Sequence, residues 1–376
     1  MTFPGPAGVA RVLKPLETFF RIESSSGLVL LGATLCALLW ANSPWRGSYE
    51  ALWHADVAHF LVNDVLMTAF FLIVGLEIRR EVREGALSSV RTAAVPLVAA
   101  LGGIVVPAAI YLLLNPDELT RRGWAIPTAT DIAFAVGVLT LLGTRVDPAL
   151  RALLLALAIA DDVAAIVIIA LFYASGVGLP GVALSAGAFV GLLLLRHLGV
   201  RRVLAYLAGG ALLWYGLFIA GLHPVLAGVI VGLLMPNPPA ASLEELLHPW
   251  IAYGVMPLFA LANAGISFAG LELRSDLSAM LVAGIVLALV VGKPVGIVGA
   301  TALAVRLGWC RLPPGVTWGG VVLVGCLGGI GFTMSIFVAT LAFPDSALLP
   351  TAKLAVLAGS VTAGTMALVL GRSLKR

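Results

Sequence analysis

Long apolar stretches that contain almost no charged residues dominate the sequence. Of its 376 residues, 60% are hydrophobic and 11% are charged, whereas soluble domains carry about 25% charged residues. A membrane-spanning helix needs about 20 apolar residues, and several runs, among them the one around 281–292, are long enough. No segment alternates apolar and polar residues as a transmembrane β-strand does. The sequence therefore predicts an all-α polytopic membrane protein.

Hydropathy, interrupted by Gly, Pro and charged residues, predicts about twelve transmembrane helices. Lys and Arg are distributed unequally between the two sets of connections: 17 lie on one side, five lie on the other, and Lys293 is inside a span. Cytoplasmic connections carry the positive excess, so both termini are predicted to be cytoplasmic. The predicted spans lie near 25–41, 58–80, 93–114, 121–143, 149–174, 180–197, 203–219, 221–235, 249–269, 277–305, 316–342 and 351–371.

Two triplets of predicted spans, about 93–174 and 277–371, begin on opposite sides of the membrane and are therefore related by inversion. The middle span of each triplet is interrupted, by PTATD at 127–131 and by GGIG at 328–331. Paired broken helices in inverted repeats are typical of a transporter's central site, although Gly and Pro are also common in ordinary membrane helices. We expect one transmembrane domain, 1–376, with this core and with interface helices of the dimerisation type at about 25–80 and 180–269.

Three acidic residues, Asp131, Asp161 and Asp162, lie near the middle of predicted spans. An ionised carboxylate in hydrocarbon costs several kcal/mol, so each needs a partner, a water-filled cavity or a proton. Hard cations such as sodium prefer oxygen ligands, and a carboxylate that binds a cation when ionised releases it when protonated. The alternative is a neutral acid that forms a hydrogen bond between helices. Asp161 and Asp162 are about 100° apart on one helix, so one cavity could border both only if it is broad or if the helix lies at its edge.

Lys293 lies deep in the uncharged stretch VVGKPVG. It is either a salt-bridge partner for one acid of the Asp161/Asp162 pair or a counter-charge to the carbonyl ends of broken helices. Several further titratable residues lie at the ends of spans. Glu77 and Glu81 share one helical face beside Arg80, His223 precedes a proline at a short turn, and Glu244 lies in a predicted loop before LHPW. Each of these is either pH-responsive or simply a solvated helix end or loop.

No nucleotide-binding sequence is present, since glycine clusters such as GGIGF lack the setting of a Rossmann fingerprint and GxxxxGK[ST] is absent. We therefore expect transport driven by ion gradients, with no cofactor and no enzymatic activity. The basic residues lie at helix ends and not on one face, which argues against nucleic acid as a partner. Three alternatives fit these residues less well: a sodium-driven symporter of organic anions, an intramembrane aspartyl protease, whose GxGD sequence is absent, and a passive channel, in which buried charges would trap ions.

Seven segments resemble the bacterial NhaA-type sodium/proton antiporters, in order and over nearly the whole chain: FFLIVGLEIRRE, PTATDIAFAVGVL, ALAIADDVAAIVIIALFY, GLHPVLAGV, LHPWIAYGVMPLFALANAGI, VGKPVGI and GGIGFTMSIF. The resemblance implies a twelve-helix protein of the bacterial inner membrane whose two broken helices cross near the bilayer centre. It also implies electrogenic, pH-regulated exchange of cytoplasmic sodium or lithium for external protons, which serves sodium and pH homeostasis.

The resemblance further implies roles for individual residues. Asp161 and Asp162 match the sodium- and proton-binding pair, with Asp162 the more direct ligand of the metal ion. Thr130, Asp131 and Lys293 match residues of the crossing. The positions that match those associated with pH sensing are Glu77, Arg80, Glu81, Glu244 and His223.

The chain departs from the family pattern in two places. Family members form homodimers through a β-hairpin between the first two spans, and here only about 42–62 joins these spans, so the second strand is expected to be shortened. Residue 245 is Glu where a His is common, which makes that segment more acidic. A shifted pH profile is therefore expected.

Overall fold

The structure is a computed structural model that describes residues 25–53, 55–143, 146–174, 178–268, 276–344 and 346–373, and within these ranges every regular element is helical. The helices are α1 (Ser25–Ala41), α2 (Arg46–Trp53), α3 (Asp56–Glu84), α4 (Val90–Leu114), α5 (Glu118–Thr128), α6 (Ile132–Leu141), α7 (Pro148–Phe172), α8 (Leu179–His197), α9 (Val203–Ala220), α10 (Leu226–Leu234), α11 (Pro239–Trp250, continued by Ile251–Val255 and Met256–Asn263), α12 (Asp276–Arg306), α13 (Trp318–Gly328), α14 (Phe332–Ala342) and α15 (Leu348–Ser373).

Seven of these helices, namely α3, α4, α7, α8, α9, α12 and α15, are long and apolar enough to cross a membrane. The number rises to ten if each of three bent pairs is one span: α1 with α2, α5 with α6, and α13 with α14. The protein is thus all-helical in its described part and polytopic. Helix α10 has only nine residues and is about 14 Å long, too short to cross hydrocarbon alone.

Both predicted interruptions are breaks in the structure. Helix α5 ends at Thr128 and α6 begins at Ile132, with a bend of 50° between them; α13 ends at Gly328 and α14 begins at Phe332, with a bend of 43°. The two breaks touch, because the Asp131 N–H donates to the Ile330 carbonyl over 2.7 Å. A backbone N–H at one break is therefore satisfied by a carbonyl at the other, as a membrane interior requires.

Helices α3, α11 and α12 each contain a π-helical turn, at Leu61–Leu66, Ile251–Val255 and Ala288–Gly292 respectively. Prolines explain the last two turns. Pro257 and Pro294 lie just after them and have no N–H to donate to the preceding turn, so the regular bonding pattern lapses there. Single π-turns are frequent at functional sites, and the turn at 288–292 leads directly into Lys293.

Glycines allow the close approach of two helix pairs. Gly102 of α4 faces the backbone of Gly296 of α12, and Gly75 of α3 faces the backbone of Val229 of α10; a Cβ at any of the three glycines would collide with main-chain atoms of the partner helix. Small residues at such contacts are typical of packing between membrane helices.

Two expectations about local structure were wrong. The segment 239–250, expected to be a loop around Glu244, is the first part of α11, since Pro239 is well placed at a helix start. The segment after α1 contains no strand in its described residues; it forms α2 and the start of α3. The Tyr49 hydroxyl holds α2 against the end of α11 by donating to the Leu261 carbonyl over 2.8 Å.

Candidate functional site

The two adjacent carboxylates lie in the middle of α7. The helix begins where the Asp147 side chain accepts from the Ala149 N–H over 2.8 Å, with Pro148 in its first turn. From there it continues without interruption to Phe172 through a mostly apolar sequence. Asp161 and Asp162 are each 2% exposed, so both are withdrawn from solvent and from lipid.

Asp161 forms a buried ion pair. Lys293 Nζ lies 2.6 Å from Asp161 Oδ2, and both side chains are completely buried. The Thr130 hydroxyl lies between the helices: it accepts from Lys293 Nζ over 2.9 Å and is 2.7 Å from Asp161 Oδ2. It is also within 2.9 Å of the Gly328 carbonyl at the end of α13. Asp161 Oδ1 is buried and has no hydrogen-bond partner, which leaves one carboxylate oxygen available for a ligand.

Asp162 differs from its neighbour because its carboxylate has no hydrogen-bond or ion-pair partner in the described part of the chain. It faces a cavity of about 50 Å³ between α3, α6, α7, α11 and α14. The two acids therefore point in different directions, as their separation on the helix predicts. The cavity is lined by Phe70, Ile73, Val74, Glu77, Thr130, Asp131, Ile132, Ala133, Asp162, His248, Ile251, Ala252, Met256 and Met334.

Asp131 lies between the N-termini of the two helices that follow the breaks. Its Oδ1 accepts from the Phe134 N–H of α6 over 2.9 Å, and its Oδ2 accepts from the Thr333 N–H of α14 over 3.0 Å and from the Thr333 hydroxyl. Carboxylates are favourable at helix N-termini, where unpaired N–H groups point outward. One carboxylate thus caps both broken helices and also borders the cavity.

Glu77 and His248 lie at the end of the same cavity. Glu77 is 7% exposed, and its Oε1 is 3.7 Å from His248 Nε2. Outside the cavity, Arg80 of α3 forms an ion pair with Glu244 of α11. Glu81 lies apart from both pairs, since its Oε1 accepts from the Ala86 N–H over 2.5 Å and closes the turn after α3.

His223 lies in the turn between α9 and α10, away from the other candidates. It is half-buried, and a hydrogen bond joins it to the backbone of Tyr173 at the end of α7. Burial lowers the pKa of the His223 imidazole below its ordinary value, and the hydrogen bond to Tyr173 opposes this shift to a smaller extent. The uncharged form of the side chain is therefore favoured.

The structure thus brings five predicted residues together: Thr130, Asp131, Asp161, Asp162 and Lys293. Glu77 joins them through the cavity, whereas Arg80, Glu81, Glu244 and His223 do not line it.

Sequence reasoning missed Thr333, although a threonine just after a glycine-rich break is a usual signal for a helix start. It also missed the approach of His248 to Glu77, which no local pattern could indicate because they are on different helices.

No three His, Cys, Asp or Glu side chains converge as a metal centre in the described ranges. A hard cation at Asp162 would combine carboxylate oxygens with hydroxyl, carbonyl or water oxygens, which such ions accept readily. Thr130 supplies a hydroxyl and Asp161 an unpartnered oxygen beside it.

Comparison with known proteins gives a consistent result along the chain. The model of the family described as Na+/H+ antiporter 1 matches residues 17–370. The Na+/H+ antiporter NhaA of Acidovorax sp. (strain JS42) is 51% identical, over 96% of this chain and 92% of its own length. The NhaA of Janthinobacterium sp. (strain Marseille) is 46% identical, over 96% of this chain and 93% of its own. This chain therefore belongs to the Na+/H+ antiporter 1 family.

Proposed function

We propose that this chain is a secondary active transporter that exchanges cytoplasmic sodium or lithium for external protons across the bacterial inner membrane. Its relatives are antiporters, which are transporters and not enzymes. The observation that carries the proposal is the contrast between two neighbouring buried carboxylates. Asp161 is paired with Lys293, whereas Asp162 is unpartnered and faces a cavity.

Competition at Asp162 couples the two ion movements. The ionised carboxylate offers a cation in the cavity the oxygen ligand that hard ions prefer. Once the carboxyl group is protonated, its charge is lost and the cation leaves. Because a proton and a cation cannot occupy this carboxylate together, each passage of one requires the departure of the other.

The ion pair extends this competition to a second proton. A cation bound at Asp162 and Thr130 also attracts the Asp161 carboxylate next to Thr130 and weakens its pairing with Lys293. The buried ammonium, deprived of its counter-charge, then releases a proton. The proton-loaded site contains neutral Asp162 and the Asp161–Lys293 ion pair. The cation-loaded site contains two carboxylates, one cation and a neutral amine. One cation has then replaced two protons, so the exchange is electrogenic and responds to the membrane potential.

We further propose that pH regulation acts at the cavity end where Glu77 and His248 lie 3.7 Å apart. The pair Arg80–Glu244 joins α3 to α11 near this end, so a change in its charge would alter the distance between the two helices. The remaining residues assigned to pH sensing are Glu81 and His223.

The proposed architecture has about twelve spans, inverted repeats at about 93–174 and 277–371, and both termini in the cytoplasm. It is supported by the matching breaks before α6 and α14 and by the excess of Lys and Arg on one side. Any homodimer would have to use surfaces other than a β-hairpin between α1 and α3, because the described residues of this segment form α2 and turns and contain no strand.

The direct test is cation-driven proton movement in inside-out vesicles from antiporter-deficient cells, measured with a pH-sensitive dye on addition of sodium, lithium or potassium. We expect sodium or lithium to cause a change in the dye signal. Asp162→Asn should abolish this change although the folded variant is present in normal amounts. Glu118→Gln is the matched control, because it makes the same kind of change at an exposed position. Collapse of the membrane potential should alter the initial rate if the exchange is electrogenic.

Two results would contradict the proposal. Substantial exchange in Asp162→Asn would remove this carboxylate from the mechanism. No response to any cation at any pH, with folded protein in the vesicles, would favour the symporter alternative, which uptake of labelled organic anions would then examine.

A further inference from the structure

A row of hydrogen-bonded polar side chains lies at one end of α3 and α11, opposite to the end where Glu77 and His248 lie. Lys353 Nζ donates to Asn263 Oδ1 over 3.3 Å, Asn263 Nδ2 donates to Asn63 Oδ1 over 3.0 Å, and Asn63 Nδ2 donates to the His59 carbonyl over 3.1 Å. The second amide hydrogen of Asn263 goes to the Phe259 carbonyl over 3.2 Å. All donors point in one direction along this row of side chains, so each amide is oriented by its neighbours.

The hydrogen bond from Lys353 to Asn263 is the longest of this row. Asn263 and Asn63 are 4% and 8% exposed, and buried amides of this kind are normally fully hydrogen-bonded. Lys353 is only partly buried by its neighbours, and no carboxylate in the described ranges is within ion-pair distance of it. A cation held by one neutral amide can separate from it without leaving an opposite charge behind.

Asn63 and Asn263 belong to one group of helices. The Tyr49 hydroxyl of α2 accepts from the Gly265 N–H over 3.1 Å, just beyond the end of α11. Asn42, after α1, donates to the Ile266 carbonyl over 2.8 Å. Together with the bond between Asn63 and Asn263, these contacts join α1, α2, α3 and α11 at this end.

Lys353 belongs to the group that carries the ion site. It is on α15, whose Ser360 hydroxyl accepts from the Phe332 N–H over 3.1 Å. Phe332 begins α14, next to Thr333 and its bonds to Asp131. The bond between Lys353 and Asn263 therefore connects the site-bearing helices to the helices that form the opposite wall of the cavity.

We propose that Lys353, Asn263 and Asn63 form a latch that holds this end of the protein closed while the cavity at Asp162 is open towards Glu77. The inference rests on the proposed function, because exchange requires the site to reach both membrane faces, which transporters achieve by moving one group of helices against the other. In the state that opens to the far side, Lys353 separates from Asn263. Its amine then faces water, which compensates for the lost hydrogen bond.

The test measures distance and needs no transport. Spin labels at Leu52→Cys, on α2, and Ala347→Cys, just before α15, report the separation of the two groups by pulsed electron resonance in lipid nanodiscs. Both positions are exposed, and the native Cys36, Cys310 and Cys326 are replaced by alanine. Lys353→Met removes the donor and Lys353→Gln keeps one. Thr362→Met, at an exposed position of the same helix that bonds only within α15, is the control.

Loss of a hydrogen bond from a charged donor should raise the population with the longer distance, relative to the population with the shorter distance, by about tenfold in Lys353→Met. The increase should be smaller in Lys353→Gln and absent in Thr362→Met. Asn63→Leu removes the acceptor of the Asn263 amide and should act in the same direction. This variant replaces Lys353→Met in the test if Lys353→Met does not fold. Unchanged distance distributions in the folded variants would overturn the latch. A shift in distance without any sodium-driven proton movement would instead contradict the proposed exchange and leave the latch standing.

Discussion

Lys293 shows how strongly a single buried residue depends on its partner. Its ammonium group is completely buried and lies 2.6 Å from Asp161 Oδ2. The attraction offsets the cost of removing both charges from water. Removing one partner leaves the other as an uncompensated buried charge, whereas removing both leaves none.

We expect Lys293→Met to lower the free energy of unfolding by about 3–5 kcal/mol, because Asp161 loses its counter-charge. The double variant Asp161→Asn/Lys293→Met should recover most of this loss. Thermal unfolding of purified protein in detergent measures both. A double variant no more stable than Lys293→Met alone would show that the packing of the lysine chain, and not its charge, stabilises the site.

The sequence identified the charged residues of the site but not their partners. It left open whether Lys293 pairs with an acid or with helix carbonyls, and the structure pairs it with Asp161 and Thr130. The pairing of Lys293 in α12 with Asp161 in α7 and with Thr130 after α5 depends on which side chains meet in space. Single-helix geometry carries no such information. The separation of the Asp161 and Asp162 side chains, in contrast, followed directly from their adjacent positions on α7.

At the scale of helices, the carboxylate of Asp131 serves α6 and α14 at once. We expect Asp131→Ala to destabilise the protein by about 2 kcal/mol or more, because each lost cap costs about 0.5–2 kcal/mol. Asp117→Ala, which removes the cap of α5 alone, is the matched comparison and should cost less. Equal melting temperatures for the two variants would contradict the double cap.

The packing of α4 against α12 predicts opposite effects for two glycines of one helix. A Cβ at Gly296 would collide with the Gly102 carbonyl, whereas a Cβ at Gly299 would meet open space. We expect Gly296→Ala to destabilise by about 1–3 kcal/mol through overpacking and Gly299→Ala to stabilise by up to about 1 kcal/mol through helix propensity. Thermal unfolding in detergent would give the sign of each change.

The breaks before α6 and α14 could be predicted because Pro and Gly weaken helices wherever they occur. The helical state of 239–250 could not, because charged residues near a proline are equally compatible with a loop and with a helix start. The π-turn at Leu61–Leu66 has no proline nearby. Its position depends on tertiary contacts that the local sequence does not encode.

At the scale of the whole molecule, His223 makes stability depend on pH. Burial lowers its pKa in the folded protein below the value in the unfolded chain, so the unfolded chain binds more protons as the pH falls. Stability is therefore fully present above the ordinary histidine pKa of about 6.5 and is lost as the pH falls below it.

We expect His223→Gln to reduce the loss of thermal stability between about pH 7 and pH 5, the interval in which an ordinary histidine becomes protonated. His197→Gln, which changes an exposed histidine at the end of α8, should leave the loss unchanged. Melting temperatures of both variants and of the unchanged protein at a series of pH values measure this loss. Identical pH profiles for His223→Gln and the unchanged protein would show that the imidazole is not withdrawn from water.

The small size of the cavity beside Asp162 has a consequence for the choice of ion. A space of about 50 Å³ holds only a few water molecules, so a cation that reaches the carboxylate has left part of its hydration shell behind. The free energy of cation binding is then the difference between two large free energies, that of dehydration and that of attraction by the oxygen ligands. A change of one methyl group in a lining residue such as Ala133 or Ala252 would alter that difference, and with it which alkali ion the protein prefers.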